Sequence, residues 1–86
     1  PHVEDAKKKR LEARRMLADK ELYIADFYFK REHFQSALPR YEKVLKLYST
    51  EGVDPQALVG AGVSAARSGD LDKGASYLNR LLDVYP

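Results

Sequence analysis

The chain has 86 residues, of which 44% are hydrophobic and 33% are charged, and its formal net charge is +2. This composition is typical of one small, mostly helical domain, and the absence of cysteine excludes a disulfide framework and cysteine-ligated zinc. No run of 18 apolar residues occurs, which excludes a transmembrane helix. The basic excess is local, since residues 1–20 carry seven basic and four acidic side chains. Because the rest of the chain has no such excess, we expect no nucleic-acid partner.

A long helix is predicted over residues 3–31. Alanine, leucine, lysine, arginine and glutamate dominate this segment, and these residues favour helices. Apolar side chains recur at helical spacing on one face: Leu11, Ala18, Leu22, Ala25 and Phe29. Between residues 22 and 29 nearly every side chain is apolar or aromatic, so we expect this half of the helix to be covered on two sides.

A second helix is predicted over residues 34–48. Its expected buried stripe consists of Ala37, Tyr41, Val44, Leu45 and Tyr48. Pro39 conflicts with this pattern, because proline lacks a backbone N–H and disfavours a helical conformation in the preceding residue. Two alternatives follow: either the helix begins late with Ser36 as its cap, or it bends at Pro39.

Two shorter helices are predicted over residues 55–67 and 71–84. Asp54 and Pro55 mark the start of the first, since aspartate is a good N-cap and proline suits the first helical position. Gly69, in the turn between the two helices, suits a left-handed C-cap. The residues of the last helix expected to face inward are Leu71, Ala75, Leu78, Leu81 and Leu82.

The two helix pairs repeat at an offset of 37 residues. Ala25, Phe34, Ala37, Tyr41 and Val44 of the first pair correspond to Gly62, Leu71, Gly74, Leu78 and Leu81 of the second. Without the loop insertion near Gly52 the offset approaches the roughly 34 residues of a tetratricopeptide repeat. Small residues allow the two helices of a pair to touch, and large residues fill the gaps between them.

The predicted fold is therefore all-α, with tetratricopeptide-type antiparallel helical hairpins and a long first helix. Residues 1–86 are expected to form one helical-repeat domain. Two repeats are few, because about three are usually needed to bury the repeat faces. Missing flanking repeats of a longer protein are the favoured explanation, with self-association or capping by the extended helix as alternatives.

Residues typical of catalysis or metal binding do not form a recognisable set. His2 and His33 are far apart, and neither belongs to a closely spaced group of metal ligands. No Ser/His/Asp set, phosphate-binding glycine loop or His-Glu metal signature occurs. We expect a protein that is not an enzyme and that has no catalytic residues, no cofactor and no metal.

One stretch is similar to a known family. Residues 17–28 read Leu-Ala-Asp-Lys-Glu-Leu-Tyr-Ile-Ala-Asp-Phe-Tyr. This resembles the outer-membrane assembly lipoprotein family BamD, also called YfiO or ComL, with its Leu-Ala-x-x-Glu-Leu-x-Val-Ala-x-Tyr-Tyr stretch before a late repeat. The likeness covers residues 11–49, including the Arg40-x-Glu42 step. The chain departs from the family pattern at Glu32, Pro39 and Ser49, where Glu32 replaces the usual turn glycine.

The resemblance implies a periplasmic, outer-membrane-associated scaffold of the machinery that inserts β-barrel proteins. It resembles the C-terminal part of the family, which docks on the POTRA domains of BamA, so those domains and other assembly subunits are the implied partners. Arg40 matches a family arginine at that contact, and Glu42, Lys43 and Lys46 lie near enough to join it. Membrane contact is implied only through a lipid anchor outside this chain.

Two other functional interpretations remain open. A generic tetratricopeptide adaptor would bind a peptide in its concave groove, where Tyr23 and Tyr28 are the candidate contacts. A membrane-surface module would instead use the basic run Lys7, Lys8, Lys9 and Arg10 to contact anionic lipid. That basic run is also compatible with the solvated side of a long helix.

Overall fold

Four α-helices, packed antiparallel, make up the computed structural model, which describes residues 2–49 and 52–86. The helices are α1 (His2–Lys30), α2 (Phe34–Lys43), α3 (Pro55–Arg67) and α4 (Leu71–Val84), and a π-helical segment, Val44–Tyr48, continues α2. Helix α2 packs between α1 and α3, and α4 packs on α3. The predicted all-α architecture with a long first helix is confirmed.

Pro39 lies inside α2, which begins at Phe34, so the alternative of a late start capped by Ser36 is wrong. Proline at this position removes the N–H that would bond the carbonyl of Gln35. Gln35 is exposed, so water can satisfy that carbonyl. The π-helical segment was not predicted; in it, the N–H of Ser49 donates to the carbonyl of Val44 at 2.8 Å.

The two later helices have side-chain N-caps. Asp54 accepts a hydrogen bond from the N–H of Ala57 at 3.1 Å, as its position before Pro55 predicts. Asp70 caps α4 in the same way through the N–H of Lys73 at 3.0 Å. Each cap satisfies an N–H that has no partner within the first turn of its helix, and so fixes where the helix begins.

Small residues bring the helices of each hairpin into contact. Ala25 of α1 and Ala37 of α2 are fully buried. At the equivalent positions of the second hairpin, a Cβ on Gly74 would lie only 2.7 Å from the carbonyl oxygen of Gly62. The remaining core is apolar and joins the first three helices: Ala18, Leu22, Tyr41, Val44, Leu45, Ala57, Leu58 and Ala61.

Several residues expected to face inward are exposed instead. Leu11 of α1 is 61% exposed, because residues 3–17 lie outside the main core. In α4, Leu71 is 70% and Leu82 is 62% exposed, and Ala75 is exposed as well. The helical period correctly places the leucines on one side of α4, where Leu78 and Leu81 are half-buried against α3 and the core, whereas Leu71 and Leu82 lie at the edge of that contact and stay exposed.

Candidate protein-interaction surface

Arg40 is held by a carboxylate at the interface between α1 and α2. Its Nη1 atom donates to Oε2 of Glu21 at 3.1 Å, and Lys43 Nζ donates to Oε1 of the same carboxylate at 3.1 Å. The Glu21 side chain is only 11% exposed, whereas Arg40 and Lys43 are 40% and 42% exposed. The two cations therefore lie at the surface while their common anion lies beneath them.

The ionisation of Glu21 follows from this arrangement. Burial alone would raise the pKa of its carboxyl group, because burial penalises the charged form. The hydrogen bonds and positive charges of Arg40 and Lys43 act in the opposite direction and hold the pKa below its ordinary value of 4.5. Glu21 is therefore a carboxylate at neutral pH and keeps the Arg40 guanidinium in one position.

Glu42 connects α2 to α4 rather than lying free beside Arg40. Its carboxylate accepts a hydrogen bond from the Tyr77 hydroxyl and forms an ion pair with Lys73 Nζ at 3.1 Å. Burial, together with the Glu42 carboxylate, raises the pKa of Tyr77 to about 12, so Tyr77 stays a hydrogen-bond donor at neutral pH. Lys46 borders the same depression and is exposed.

The basic residues of α2, its π-helical continuation and α4 described in these contacts are here called the outer basic surface: Arg40, Lys43, Lys46, Lys73 and Arg80. Lys43 and Lys46 are three residues apart on one helical face, and Lys73 and Arg80 are seven apart on α4. Sequence reasoning missed the α4 residues, although their spacing by two turns was a usable signal. It also missed Glu21, because the pairing depends on how α1 and α2 pack.

Tyr23 and Tyr28 do not lie on the same face of α1. They are five residues apart, and five residues turn a helix by about 140° beyond a full turn. Tyr23 is exposed, whereas Tyr28 is half-buried and stacks against His33 at the turn. Neither tyrosine lines the apolar groove between α1 and α3, which is formed by Asp26, Phe29, Tyr41, Pro55, Gln56, Val59 and Gly60.

The basic run of α1, residues 7–10, is exposed along its whole length. Consecutive residues in a helix point about 100° apart, so four in a row spread around the full circumference. A flat anionic surface can meet only part of such a run at one time. Contact of Lys7, Lys8, Lys9 and Arg10 with anionic lipid stays a prediction.

No group of three or more His, Cys, Asp or Glu side chains in residues 3–49 and 52–86 is placed to hold a metal ion. Within the same residues, no helix has both the length and the apolar character needed to cross a bilayer.

Comparison with known proteins extends the resemblance found in residues 11–49. The family model described as YfiO, outer membrane lipoprotein, matches residues 1–62, which include the whole first hairpin and the start of α3 as far as Gly62. No curated protein and no solved structure gives a significant match. The chain therefore belongs to the YfiO (BamD) outer membrane lipoprotein family, a family of non-enzymatic factors in outer-membrane assembly.

Proposed function

We propose that this chain is a protein–protein interaction scaffold of the β-barrel assembly machinery and docks on the POTRA domains of BamA through the outer basic surface. The observation that carries the proposal is the position of Arg40, held at the surface by the nearly buried Glu21 carboxylate. Family membership supplies the outer-membrane assembly role. The family match does not identify the docking partner or the docking surface, and both are proposed here.

Arg40 suits recognition of a partner carboxylate. A guanidinium group has five N–H donors in a rigid planar fork, and Nη1 is the atom that contacts Glu21. Because Glu21 already fixes the side chain, binding requires little additional ordering of Arg40. Lys43 and Lys46 extend the positive surface from there, so an acidic partner surface is expected.

The same proposal places the protein in the periplasm at the outer membrane, with the membrane reached through a lipid anchor outside this chain. Other subunits of the assembly machinery are further proposed partners. The proposed role is docking alone, with no bond chemistry, no cofactor and no metal.

A binding titration of the chain against purified BamA POTRA domains tests the docking surface. Arg40→Glu is a poor variant, because it would place a second carboxylate beside Glu21. Arg40→Gln is better, since Lys43 still pairs with Glu21 and keeps the carboxylate neutralised. Lys46→Glu tests the same surface at an exposed position. Arg67→Gln, at the turn beside Glu32 and outside the outer basic surface, is the matched control.

We expect Arg40→Gln and Lys46→Glu each to weaken binding about five- to tenfold, or about 1.0–1.4 kcal/mol, and Arg67→Gln to leave it unchanged. If the parent and all three variants bind equally well, the POTRA domains remain the partner, but the outer basic surface is not the docking site. Absence of binding by the folded parent chain would reject docking by this part of the protein. Circular dichroism of each variant separates lost binding from lost folding.

A second candidate is the adaptor function, with the apolar groove between α1 and α3 as its peptide site. The supporting observation is the groove itself, in which Val59 is 42% exposed beside the ring of Tyr41. Val59→Lys would block an extended peptide there without touching the outer basic surface. If that variant loses POTRA binding while Arg40→Gln retains it, the groove replaces the outer basic surface as the docking site.

A further inference from the structure

A depression of about 540 Å³ lies between α2 and α4. The two helices run in the same direction, because each packs antiparallel to α3. The Cα atoms of α2 and its π-helical continuation stay more than 8 Å from those of α4, so only side chains bridge the gap between them. The residues that line the depression are Glu42, Leu45, Lys46, Lys73, Tyr77 and Arg80.

The depression has an apolar floor and a charged rim. Leu45 is the most deeply buried residue of the lining, at 7% exposure, and the Tyr77 ring is half-buried. Three of the lining side chains are cationic, whereas Glu42 is the one carboxylate among the described residues of the lining. Glu42 is already engaged, since it accepts a hydrogen bond from the Tyr77 hydroxyl and pairs with Lys73. The lining therefore carries more positive than negative charge.

The positive charge extends toward one end of the depression. Glu42 and Lys73 form their ion pair at 3.1 Å, which places them side by side at the other end. Lys46 follows Glu42 by four residues, or about 6 Å along a helix axis. Arg80 follows Lys73 by seven residues, or about 10.5 Å. Because the two helices run in the same direction, both later cations lie toward the same end.

Arg80 is held at that end by two contacts. Its guanidinium lies 5.9 Å from the centroid of the Tyr77 ring and donates a hydrogen bond to the carbonyl of Gly52. A guanidinium has five N–H donors, so others remain for a ligand. Lys46 is exposed, and its flexible stem can bring its ammonium group toward the same point.

We propose that the depression between α2 and α4 binds a glutamate side chain of the protein on which this chain docks. The methylene groups of that glutamate lie over Leu45 and the Tyr77 ring, and its carboxylate lies between Lys46 and Arg80. The inference rests on the proposed function, because the POTRA domains are the expected source of the glutamate. It adds a second carboxylate contact to the one expected at Arg40.

Charge and shape favour glutamate over other anions. A phosphate group carries about 1.5 to 2 negative charges at neutral pH, and the Glu42 carboxylate repels these more strongly than a single charge. Aspartate has one methylene group fewer, so it covers less of the apolar floor. A bilayer surface is flat and cannot enter a gap between two helices.

The first test is an NMR titration of the isotope-labelled 86-residue chain with an acetylated and amidated tetraglutamate peptide. Tetra-aspartate, tetraglutamine and inorganic phosphate are the comparison ligands, all at about 20 mM salt, where screening is weak. The chain variants are Lys46→Gln and Arg80→Gln. Arg67→Gln, outside the depression, is the matched control. The amide spectrum of each variant shows whether it is folded.

We expect saturable shifts at the amides of Leu45, Lys46 and Arg80 with tetraglutamate, and none with tetraglutamine. Lys46→Gln and Arg80→Gln should each lower the affinity at least about threefold, and Arg67→Gln should not change it. Shifts confined to residues 7–10, or no saturable shift at about 10 mM peptide, would overturn the proposal. Equal affinity for tetra-aspartate or phosphate would also overturn it, because the depression would then be a general anion site.

The second test is the POTRA titration with Arg80→Gln, which should weaken binding at least about threefold. In a double-mutant cycle, one glutamate of the POTRA domains changed to glutamine should show coupling to Arg80→Gln. If Arg40→Gln weakens POTRA binding and Arg80→Gln does not, docking stands and the glutamate site is rejected. If tetraglutamate binds in the depression but the folded parent chain does not bind the POTRA domains, the docking proposal fails and the glutamate site stands.

Discussion

Glu32 and Gly69 occupy equivalent turns 37 residues apart, and both have a left-handed backbone, with φ of +60° and +103°. In each turn the next residue donates its N–H to a carbonyl five positions earlier: His33 to Tyr28 and Asp70 to Ala65, both at 2.9 Å. This hydrogen-bond pattern is the Schellman motif, in which glycine is the preferred left-handed residue. Glutamate at position 32 thus adopts the backbone conformation that glycine favours.

Glu32→Gly should therefore stabilise the chain. A left-handed conformation costs a non-glycine residue about 1–2 kcal/mol, and part of the gain is offset by the greater entropy of glycine in the unfolded chain. The ion pair between Glu32 and Arg67, at 3.5 Å, is exposed and contributes little. We expect the free energy of unfolding to rise by about 1 kcal/mol, measured by urea denaturation.

Glu32→Ala is the matched control for that experiment. It removes the same carboxylate and the same ion pair but keeps a Cβ in the left-handed backbone. Its stability should equal or fall below that of the parent chain. If the alanine and glycine variants are equally stable, backbone strain at this turn does not contribute to stability.

The contact between Gly62 and Gly74 leads to a second prediction, for Gly74→Ala. In most helices this change is stabilising by about 1 kcal/mol, because alanine has the higher helix propensity. Here the new Cβ would lie 2.7 Å from the backbone oxygen of Gly62, which cannot move aside as a flexible side chain would. We expect a loss of about 1–3 kcal/mol in thermal or urea unfolding. Ser76→Ala, at an exposed position of α4, should be neutral or slightly stabilising, and a stabilised Gly74→Ala would contradict the close approach.

The fold could be predicted from the sequence where local signals agree with packing. The offset of 37 residues placed small residues at Ala25, Ala37, Gly62 and Gly74, and these are the points where the helices touch. Exposure of Leu71 and Leu82 could not be predicted in the same way. A helical period shows which residues share a face but not whether another element covers that face.

The candidate surface was less predictable than the fold. Family resemblance points to Arg40, and its role at a docking contact stays a prediction. Its partner Glu21 lies 19 residues earlier on another helix, so their contact depends on how α1 packs on α2. Tyr23 and Tyr28 are the opposite case. Both are aromatic and close in sequence, but they lie on different sides of α1.

Glu21→Gln gives a third prediction, on acid sensitivity. The change leaves Arg40 and Lys43 without their anion, and we expect a loss of about 1–2 kcal/mol at pH 7, between typical values for exposed and buried pairs. Because the folded-state pKa of Glu21 lies below 4.5, its contribution is present above that pH and disappears as pH falls through the lower folded value. The difference in urea unfolding between the parent and the variant should therefore narrow as pH falls below 4.5. A difference that does not narrow would point to packing rather than charge.

Alkaline pH should destabilise the chain through its buried tyrosines. The pKa of Tyr77 is raised from 10 to about 12 in the folded chain, by burial and by Glu42, and burial together with Asp26 raises the pKa of Tyr41 as well. An unfolded tyrosine loses its proton near pH 10, so the unfolded state gains stability as pH rises from about 10 to about 12. We expect urea stability to be constant up to about pH 9 and to fall by pH 11.

Tyr77→Phe should reduce this loss between pH 9 and pH 11, because the variant has no phenol to protect at that position. Part of the loss should remain, since Tyr41 contributes in the same direction. Tyr23→Phe is the control, because Tyr23 is 76% exposed and lies on α1, away from the contact between α2 and α4. If Tyr77→Phe and Tyr23→Phe lose the same stability as the parent chain over this range, the hydrogen bond from Tyr77 to Glu42 is not what links α4 to α2 in solution.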